Sequence, residues 1–246
     1  MPVWQKLRSE LHPLGLEIVT VGLDTLGVDG CKHFIDAAKA EHPSLIDQHH
    51  VLADRFGVIN IPSSIWINEH GVIVRPAEAA PAPPSDRRLP NVDMPAQMPQ
   101  RMQDMLAEVV KMPNDSQAYH DGLRDWVSKG ADSRYALSEE EVIARSQPRS
   151  AATSEGHAHF EIAAALEAEG RHALAIPHYR RAHELVPDSW TFRRQAWSLE
   201  THGDNPLARF WQGPDPQSPE SWPYPGDWLG DVQAGGAENY NARFKP

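Results

Sequence analysis

Residues 57–76, GVINIPSSIWINEHGVIVRP, decide the fold of the first part of the chain. Two short apolar runs, IWI and VIV, flank the polar residues NEHG at 68–71, and this pattern predicts an antiparallel β-hairpin. Pro62 stands directly before the first run, where a residue without an N–H fits only the start or the edge of a sheet. The stretch therefore predicts a strand that is entered through Pro62.

The residues before this hairpin alternate between helical and extended patterns. Apolar residues at helical spacing predict a helix over residues 2–12, and LEIVTVGLD at 16–24 predicts a strand that is covered on both faces. Asp29 can cap a second helix, which carries Phe34, Ile35 and Ala38 on one face. A short extended segment at 44–47 and a short helix at 49–58 complete an order in which helices and strands alternate.

Charge and hydropathy exclude several classes of function. The formal net charge is −11 over 246 residues, whereas a nucleic-acid-binding protein presents a basic face, so no nucleic-acid partner is expected. No apolar run approaches the roughly 20 residues of a membrane-spanning helix. The first residues, MPVWQKLRSELHPL, lack the pattern of a signal peptide. The chain as given is expected to be soluble and cytoplasmic, and an export signal upstream of Met1 would leave its location open.

Cysteine and histidine usage predicts no metal site and no cofactor. Cys31 is the single cysteine, which excludes an internal disulfide and a CxxC motif, and the 13 histidines are scattered. A helix N-terminus near Cys31 would favour its thiolate, but Asp29 opposes the anion, so we expect an ordinary, partly buried thiol. Three further acids are expected to cap helices and to keep the surface soluble: Asp24, Asp47 and Asp54.

The composition changes twice after the hairpin. Residues 77–99 carry six prolines and predict a linker stiffened by polyproline geometry. Residues 100–210 show helical patterns, including a capping box that begins at Ser138. Residues 211–246 are rich in Pro, Gly and Trp without a period and predict an irregular tail. Three tryptophans could anchor this tail on the helices: Trp211, Trp222 and Trp228.

Residues 156–189, GHAHFEIAAALEAEGRHALAIPHYRRAHELVPDS, form the clearest repeat-like segment. Ala163 and Ala175 would let two helices approach closely. Tyr179 would fill the groove between these helices, and Pro187 would end the second one. The segment resembles the 34-residue tetratricopeptide repeat (TPR).

A second repeat departs from this pattern, because residues 190–204 place Trp197 where a small residue is usual. About three repeats are normally needed for an independently stable array. Two interpretations stay open for the helices. They could form a module that binds a protein partner or dimerises, or they could be an extension that packs only on its own chain, which we favour.

The order of elements over residues 1–76 resembles the thioredoxin fold of TlpA/ResA-type redoxins. EIVTVGLD is similar to the second core strand of that family, DRFGVINIPSSIWI to its helix-loop-proline-strand unit, and NEHGVIVRP to its edge hairpin. The resemblance implies an α/β thioredoxin-like fold, incomplete at the N-terminus, followed by an all-α TPR-like region.

The resemblance also implies a role for Pro62. In thioredoxin-like proteins this proline follows a cis peptide bond, and the residue before it offers its backbone N–H and C=O to an extended thiol substrate. Ile61 and Pro62 are therefore expected to bind substrate across a cis bond; the alternative is a trans proline that merely starts an edge strand. The implied partners are a protein thiol or disulfide, or a small disulfide or peroxide.

Redoxins of this type carry a W-C-x-x-C motif at the end of a strand just before the first helix, and this sequence has no such motif. The resemblance implies that the chain begins downstream of that motif and that the strand would lie between the EIVTV and SIWI strands. A misassigned start codon, a genuine truncation, or a selenocysteine codon read as a stop would each produce this result.

Two functions are therefore open. The complete protein could be a thiol or selenol oxidoreductase whose redox nucleophile is absent from this chain, so that the chain as given is inactive. Alternatively, the chain could be a non-catalytic thioredoxin-like and TPR-like scaffold for protein interactions.

Overall fold

The computed structural model of the protein describes residues 2–81, 99–146, 148–200, 213–215 and 218–246. The first part holds α1 (Pro2–Leu11), β1 (Thr20–Leu23), α2 (Val28–Ala38), β2 (Ser44–Asp47), α3 (Val51–Phe56), β3 (Ser63–Ile67) and β4 (Ile73–Ala79). The second part holds α4 (Gln100–Lys111), α5 (Ser116–Lys129), α6 (Glu139–Arg145), α7 (Ala151–Ala168), α8 (His172–Leu185), α9 (Trp190–Leu199) and α10 (Trp228–Gly235).

The strands form two separate two-stranded sheets. β1 pairs with β2 in parallel, with Thr20 opposite Ser44, whereas β3 pairs with β4 antiparallel, with Ser63 opposite Ala79. Across the residues that the structure describes, no ladder joins the two sheets. Each of β1 and β3 therefore uses only one of its two edges for pairing.

The hairpin between β3 and β4 forms as predicted because Asn68 supplies the bonds of its turn. Its N–H donates to the Val72 carbonyl at 2.9 Å, and its side-chain Oδ1 accepts from the N–H groups of His70 and Val72 at 3.0 Å each. Gly71 lies in the left-handed region, with φ +76°, where glycine has no steric cost. Local turn chemistry thus sets the end of β3 and the start of β4.

The strand predicted at 16–24 is shorter, and the expectation that both of its faces are covered is wrong. β1 spans only Thr20–Leu23, and the side chains of Val19 and Val21 are exposed. α2 packs on β1 at Gly22, where a Cβ atom would lie 2.8 Å from Cys31 Sγ. No further element of the described chain covers Val19 and Val21, so the strand is buried on one side only.

α7 and α8 form the helical hairpin that the repeat-like segment predicts. Ala163, Ala175 and Tyr179 are fully buried between the helices and their neighbours. A Cβ atom on Gly156 would lie 2.4 Å from Val186 Cγ2, so a larger residue at this position would push the end of α8 away from α7. Gly170 joins the helices with φ +71°. The small residues therefore act as predicted, by bringing two helices together.

The tail is not irregular throughout, which corrects the prediction for residues 211–246. Trp228 opens α10, whose first turn is capped by Asp227 Oδ1 accepting from the Gly230 N–H at 3.0 Å. Trp228 is buried in the same cluster as Tyr179 and Trp197, and Trp222 packs against that cluster. The tail therefore completes the helical core; Trp211 lies outside the described residues.

The boundary predicted at residue 77 also needs correction, because β4 continues to Ala79 and Ala80 is fully buried. The Ala80 N–H donates to the Pro62 carbonyl at 3.0 Å. The first three residues assigned to the linker thus belong to the hairpin. Most of the predicted linker, residues 82–98, lies outside the described residues.

A second apolar cluster joins the two parts of the chain. Leu7 and Leu11 of α1 and Trp66 of β3 pack with Tyr119 of α5, and Phe244 of the tail lies against them. Trp66 Nε1 donates to the Tyr119 hydroxyl at 3.2 Å. The hairpin is therefore covered by helices from the second part. Among the helices described, none is both long enough and apolar enough to cross a membrane.

Candidate substrate-binding loop

The loop at residues 57–62 connects α3 to β3 and contains both residues expected to bind substrate. Gly57 ends α3 in the left-handed conformation, with φ +68°, and the Val58 N–H donates to the Ala53 carbonyl at 2.8 Å. The Ile61–Pro62 peptide bond is cis. Ile61 and Pro62 are both exposed, so the structure places them together at the surface where β3 begins.

The Ile61 N–H is bonded inside the loop. It donates to Asn60 Oδ1 at 2.9 Å, and the Asn60 carbonyl in turn accepts from Ser63 Oγ at 2.7 Å. The resemblance assigns the Ile61 N–H to an incoming substrate strand. In this structure, that donor already has a partner within the chain.

The helical part and the tail hold the loop from outside. The Thr191 N–H at the start of α9 donates to the Ile59 carbonyl at 3.1 Å, and Thr191 Oγ1 lies 3.5 Å from the Val58 carbonyl. Asn60 Nδ2 donates to the Tyr240 carbonyl at 3.2 Å and lies 3.3 Å from Asn241 Oδ1. The second part of the chain therefore fixes the backbone that leads to Pro62.

Sequence reasoning missed the roles of Asn60 and Thr191. An asparagine directly before an X-Pro pair is a local signal, because its short amide can bond to neighbouring backbone groups. Nothing in the sequence indicates that Thr191, more than a hundred positions away, meets this loop. Only the packing of the helical part against the first part brings them together.

Cys31 does not contribute to the loop. It lies in the first turn of α2 and packs on Gly22 of β1, and it is buried. Burial raises the pKa of the Cys31 thiol, and the negative charge of Asp24 adds to this effect. A thiol with a raised pKa holds little reactive thiolate near neutral pH. The structure therefore supports the expectation of an ordinary buried thiol.

A shallow cleft of about 200 Å³ lies beside Cys31 and is lined by β1, by Phe34 and Ile35 of α2, and by Leu45 of β2. Its lining is mainly apolar. None of the residues that line the cleft belongs to the loop at 57–62, so the cleft is distinct from that loop.

The three acids expected to cap helices occupy two kinds of position. Asp24 Oδ1 accepts from the Leu26 N–H at 2.9 Å, and the Asp47 carboxylate accepts from three N–H groups at the start of α3 at 2.8–3.0 Å. Asp54 instead pairs with Arg149 and with His157 Nδ1. Asp47 therefore caps a helix as predicted, whereas Asp24 bonds within the turn before α2, whose N-cap is Gly27 without a side-chain bond, and Asp54 joins α3 to the helical part.

Comparisons with known proteins give one partial match. No protein-family model and no solved structure matches the chain. A stretch of 75 residues is 33% identical to the thiol-disulfide oxidoreductase ResA of Halalkalibacterium halodurans. The match covers 30% of this chain and 42% of the length of that protein. Part of the chain is thus related to a thiol-disulfide oxidoreductase, and the two small sheets with their helices are compatible with a thioredoxin-like part joined to a helical one.

Proposed function

We propose that residues 1–76 are the thioredoxin-like part of a thiol or selenol oxidoreductase of the redoxin type, whose redox nucleophile lies outside this sequence. The observation that carries the proposal is the 33% identity to ResA over 75 residues. In this function, Ile61 and Pro62 contact an extended substrate. The substrate is a protein thiol or disulfide, or a small disulfide or peroxide.

The unpaired strand edges support this proposal. β1 and β3 each pair on one edge in the described residues, and large apolar side chains stay exposed on them and beside them, including Val21, Leu45 and Ile67. An exposed apolar strand edge favours aggregation, and proteins normally pair or cover it. A strand between β1 and β3 would join the two sheets and pair both of these open edges. We propose that this strand carries the cysteine or selenocysteine.

The start of α1 suits a reactive thiol or selenol. α1 begins at Pro2, and a group placed just before a helix N-terminus lies at the positive end of the helix dipole, which lowers its pKa. Its thiolate or selenolate would attack one sulfur of a substrate disulfide. The S–S bond breaks, a mixed disulfide or selenenyl sulfide forms, and the second substrate sulfur leaves as a thiolate.

A second function is favoured by the state of Cys31. The thiol is buried and its pKa is raised, so the residues present here include no activated thiol. A chain with this loop and no nucleophile could act as a scaffold that binds an extended partner without redox chemistry. The helical part would then supply further contacts with a protein.

For the TPR-like helices we propose an internal role. Tyr179 and Trp197 are fully buried together with Trp228 and Val232 of the tail helix α10. Later residues of the same chain thus pack in one cluster with α8 and α9. This packing favours an extension that packs on its own chain over a repeat array that presents a groove to a partner.

The proposal is tested by adding the upstream sequence. The chain in hand, its Cys31→Ser variant and a version extended by the in-frame codons upstream of Met1, with any UGA read as selenocysteine, are assayed for reduction of insulin disulfides by dithiothreitol. We expect turnover only from the extended protein, and we expect serine at its added Cys or Sec to abolish it.

Two results would overturn the oxidoreductase proposal. One is an upstream reading frame that contains no Cys or Sec codon and whose translation predicts no strand. The other is turnover of the chain in hand that survives Cys31→Ser, since no thiol would remain to perform the reaction. The same upstream sequence would show whether the product carries an export signal.

A further inference from the structure

The Asn60 side chain connects the Ile61 N–H to the C-terminal tail. Its Oδ1 accepts from the Ile61 N–H at 2.9 Å, while its Nδ2 donates to the Tyr240 carbonyl at 3.2 Å and lies 3.3 Å from Asn241 Oδ1. Only the NH₂ end of the amide can donate to these two oxygens, so this network sets its orientation. Because the amide is planar, the rotamer that serves the tail also directs Oδ1 at Ile61.

The tail end of this connection is held by aromatic packing. The Tyr240 ring lies 4.6 Å from the Trp190 ring and 5.9 Å from the Trp228 ring, measured between centroids. Its hydroxyl accepts from Trp228 Nε1 and from Arg194, both at 3.3 Å. The Tyr240 carbonyl therefore occupies a position that α9 and α10 determine. Asn60 is therefore bonded to a carbonyl that is anchored by the helical part.

The Ile61 end of this connection is more exposed than the Tyr240 end. Ile61 is 39% exposed, and it precedes a strand that has a partner on one edge only among the described residues. A free backbone N–H at such a position can pair with an extended peptide, which adds to an open strand edge through main-chain hydrogen bonds. Here the N–H is instead closed by a neutral side-chain bond, which is individually weak and can be displaced.

We propose that Asn60 is a latch that closes the Ile61 N–H against backbone pairing, and that Tyr240 and Asn241 hold this latch shut. An extended substrate reaches the N–H only after the Asn60 amide turns away, which breaks its bonds to the tail. The C-terminal tail thereby regulates the substrate-binding loop. This inference rests on the proposed role of Ile61 in substrate binding, but the latch itself can be tested without any redox chemistry.

The experiment measures hydrogen exchange of individual backbone amides by NMR in the full chain, with each rate corrected for the intrinsic rate of the changed sequence. Asn60→Ala removes the latch, and we expect the Ile61 amide to exchange about fivefold faster. Asn241→Ala removes one acceptor of the tail and leaves the Tyr240 carbonyl, so we expect a smaller rise of about twofold. Asn241→Asp keeps an oxygen acceptor and should restore the wild-type rate.

Asn68→Ala is the matched control. Asn68 Oδ1 caps backbone N–H groups of the β3–β4 turn in the same manner, but no tail residue contacts it through a hydrogen bond in the described chain. This variant should speed exchange of the His70 and Val72 amides and leave Ile61 unchanged.

Two outcomes overturn the latch. If Asn60→Ala leaves the Ile61 rate unchanged, its N–H is not closed by this side chain. If Asn60→Ala raises the rate but Asn241→Ala leaves it at the wild-type value, the tail does not control the loop. Neither outcome depends on the oxidoreductase assay, so failure of the latch and failure of the proposed function are separate results.

Discussion

Two phenylalanines summarise the difference between the two parts of the molecule. Phe160 of α7 is 1% exposed, whereas Phe34 of α2 is 58% exposed. Tyr179 and Trp197 of the helical part are likewise fully buried, whereas Val19, Val21 and Leu45 of the strand-containing part lie at the surface. The cluster around Phe160 is built from the helical part and the tail alone, whereas the cluster around Trp66 is built from both parts of the chain.

The difference reflects how helices and strands satisfy their backbone groups. A helix bonds its N–H and C=O groups internally, so helices from neighbouring positions along the chain can enclose a core by side-chain packing alone. A strand leaves the N–H and C=O groups of an unpaired edge without a partner strand, and a sheet of two strands is marginal by itself. The first part therefore depends on packing against the helical part, as in the cluster around Trp66.

The largest expected effect compares the two phenylalanines directly. Phe160→Ala should lower the free energy of unfolding by about 3–5 kcal/mol, because it opens a cavity next to Phe192 and Tyr179. Phe34→Ala should change it by less than about 1 kcal/mol, since that ring is mostly in water. Urea denaturation followed by tryptophan fluorescence measures both. Equal losses would show that the exposed face of α2 is covered in solution.

Arg75 tests how firmly the two parts are joined. Its guanidinium is buried, bonds both oxygens of Glu78 at 2.5 and 2.9 Å, and donates to the carbonyls of Tyr135 and Lys245 at 2.9 and 2.6 Å. Arg75→Met should lower the free energy of unfolding by about 3–5 kcal/mol. The substitution leaves the Glu78 carboxylate and the two carbonyls without this hydrogen-bond donor at a site that is partly shielded from water.

The matched control for Arg75 is Arg124, which pairs with Glu10 through two bonds but at the surface. Arg124→Met should lower the free energy of unfolding by less than about 1 kcal/mol, since exposed ion pairs contribute little to stability. Thermal unfolding of both variants measures the difference. If Arg75→Met proved as mild as Arg124→Met, the hairpin and the tail would not be coupled through this residue.

Lowering the pH should lower the free energy of unfolding through His183, which lies in the helical part. Burial lowers the pKa of His183 to about 4, and the positive charge of Arg193 acts in the same direction. In the unfolded chain the ordinary value is 6.5, so between these two values the unfolded state binds more protons. The free energy of unfolding should therefore fall as the pH is lowered from about 6.5 to about 4, by on the order of 3 kcal/mol from this residue.

His183→Gln should flatten that pH dependence, because glutamine does not titrate in this range; His70→Gln, in the exposed hairpin turn, is the control substitution. Urea denaturation at a series of pH values between 4 and 7 measures how steeply the free energy of unfolding changes with pH. This range includes the ordinary pKa of histidine. An unchanged slope in His183→Gln would assign the acid sensitivity to other groups. Two candidates are the buried His50 and the half-buried His157, whose pKa values are also lowered by burial.

The smallest expected effect concerns the packing of α7 against the end of α8 at Gly156. Gly156→Ala places a Cβ 2.4 Å from Val186 Cγ2 and 3.2 Å from Leu185 Cβ, and pushing these groups apart should cost about 1–3 kcal/mol. Gly235→Ala, at the end of α10, meets no heavy atom within 4 Å and should be neutral or slightly stabilising. The denaturation midpoints of the two variants are compared. If Gly156→Ala left the midpoint unchanged, the two helices could move apart without loss of stability.

Local patterns predicted most of the elements because their causes are local. The NEHG turn, the Ser138 capping box and the small residues of α7 and α8 each act over a few positions, and all three appear in the structure. The regular part of the tail was missed because α10 is only eight residues long and its stability comes from packing Trp228 and Val232 into a distant core.

The sequence by itself determined the β3–β4 hairpin, the placement of Pro62 at its entrance, the α7–α8 helix pair and the lack of a second cysteine. These features depend on neighbouring residues, whose preferences act before any fold exists. Only the tertiary structure decided that Thr191 and Tyr240 hold the loop before Pro62, that Asn60 closes the Ile61 N–H, and that β1 stays exposed on one side. The contacts that Thr191 and Tyr240 make with the loop join positions more than a hundred residues apart, and no local preference encodes such an encounter.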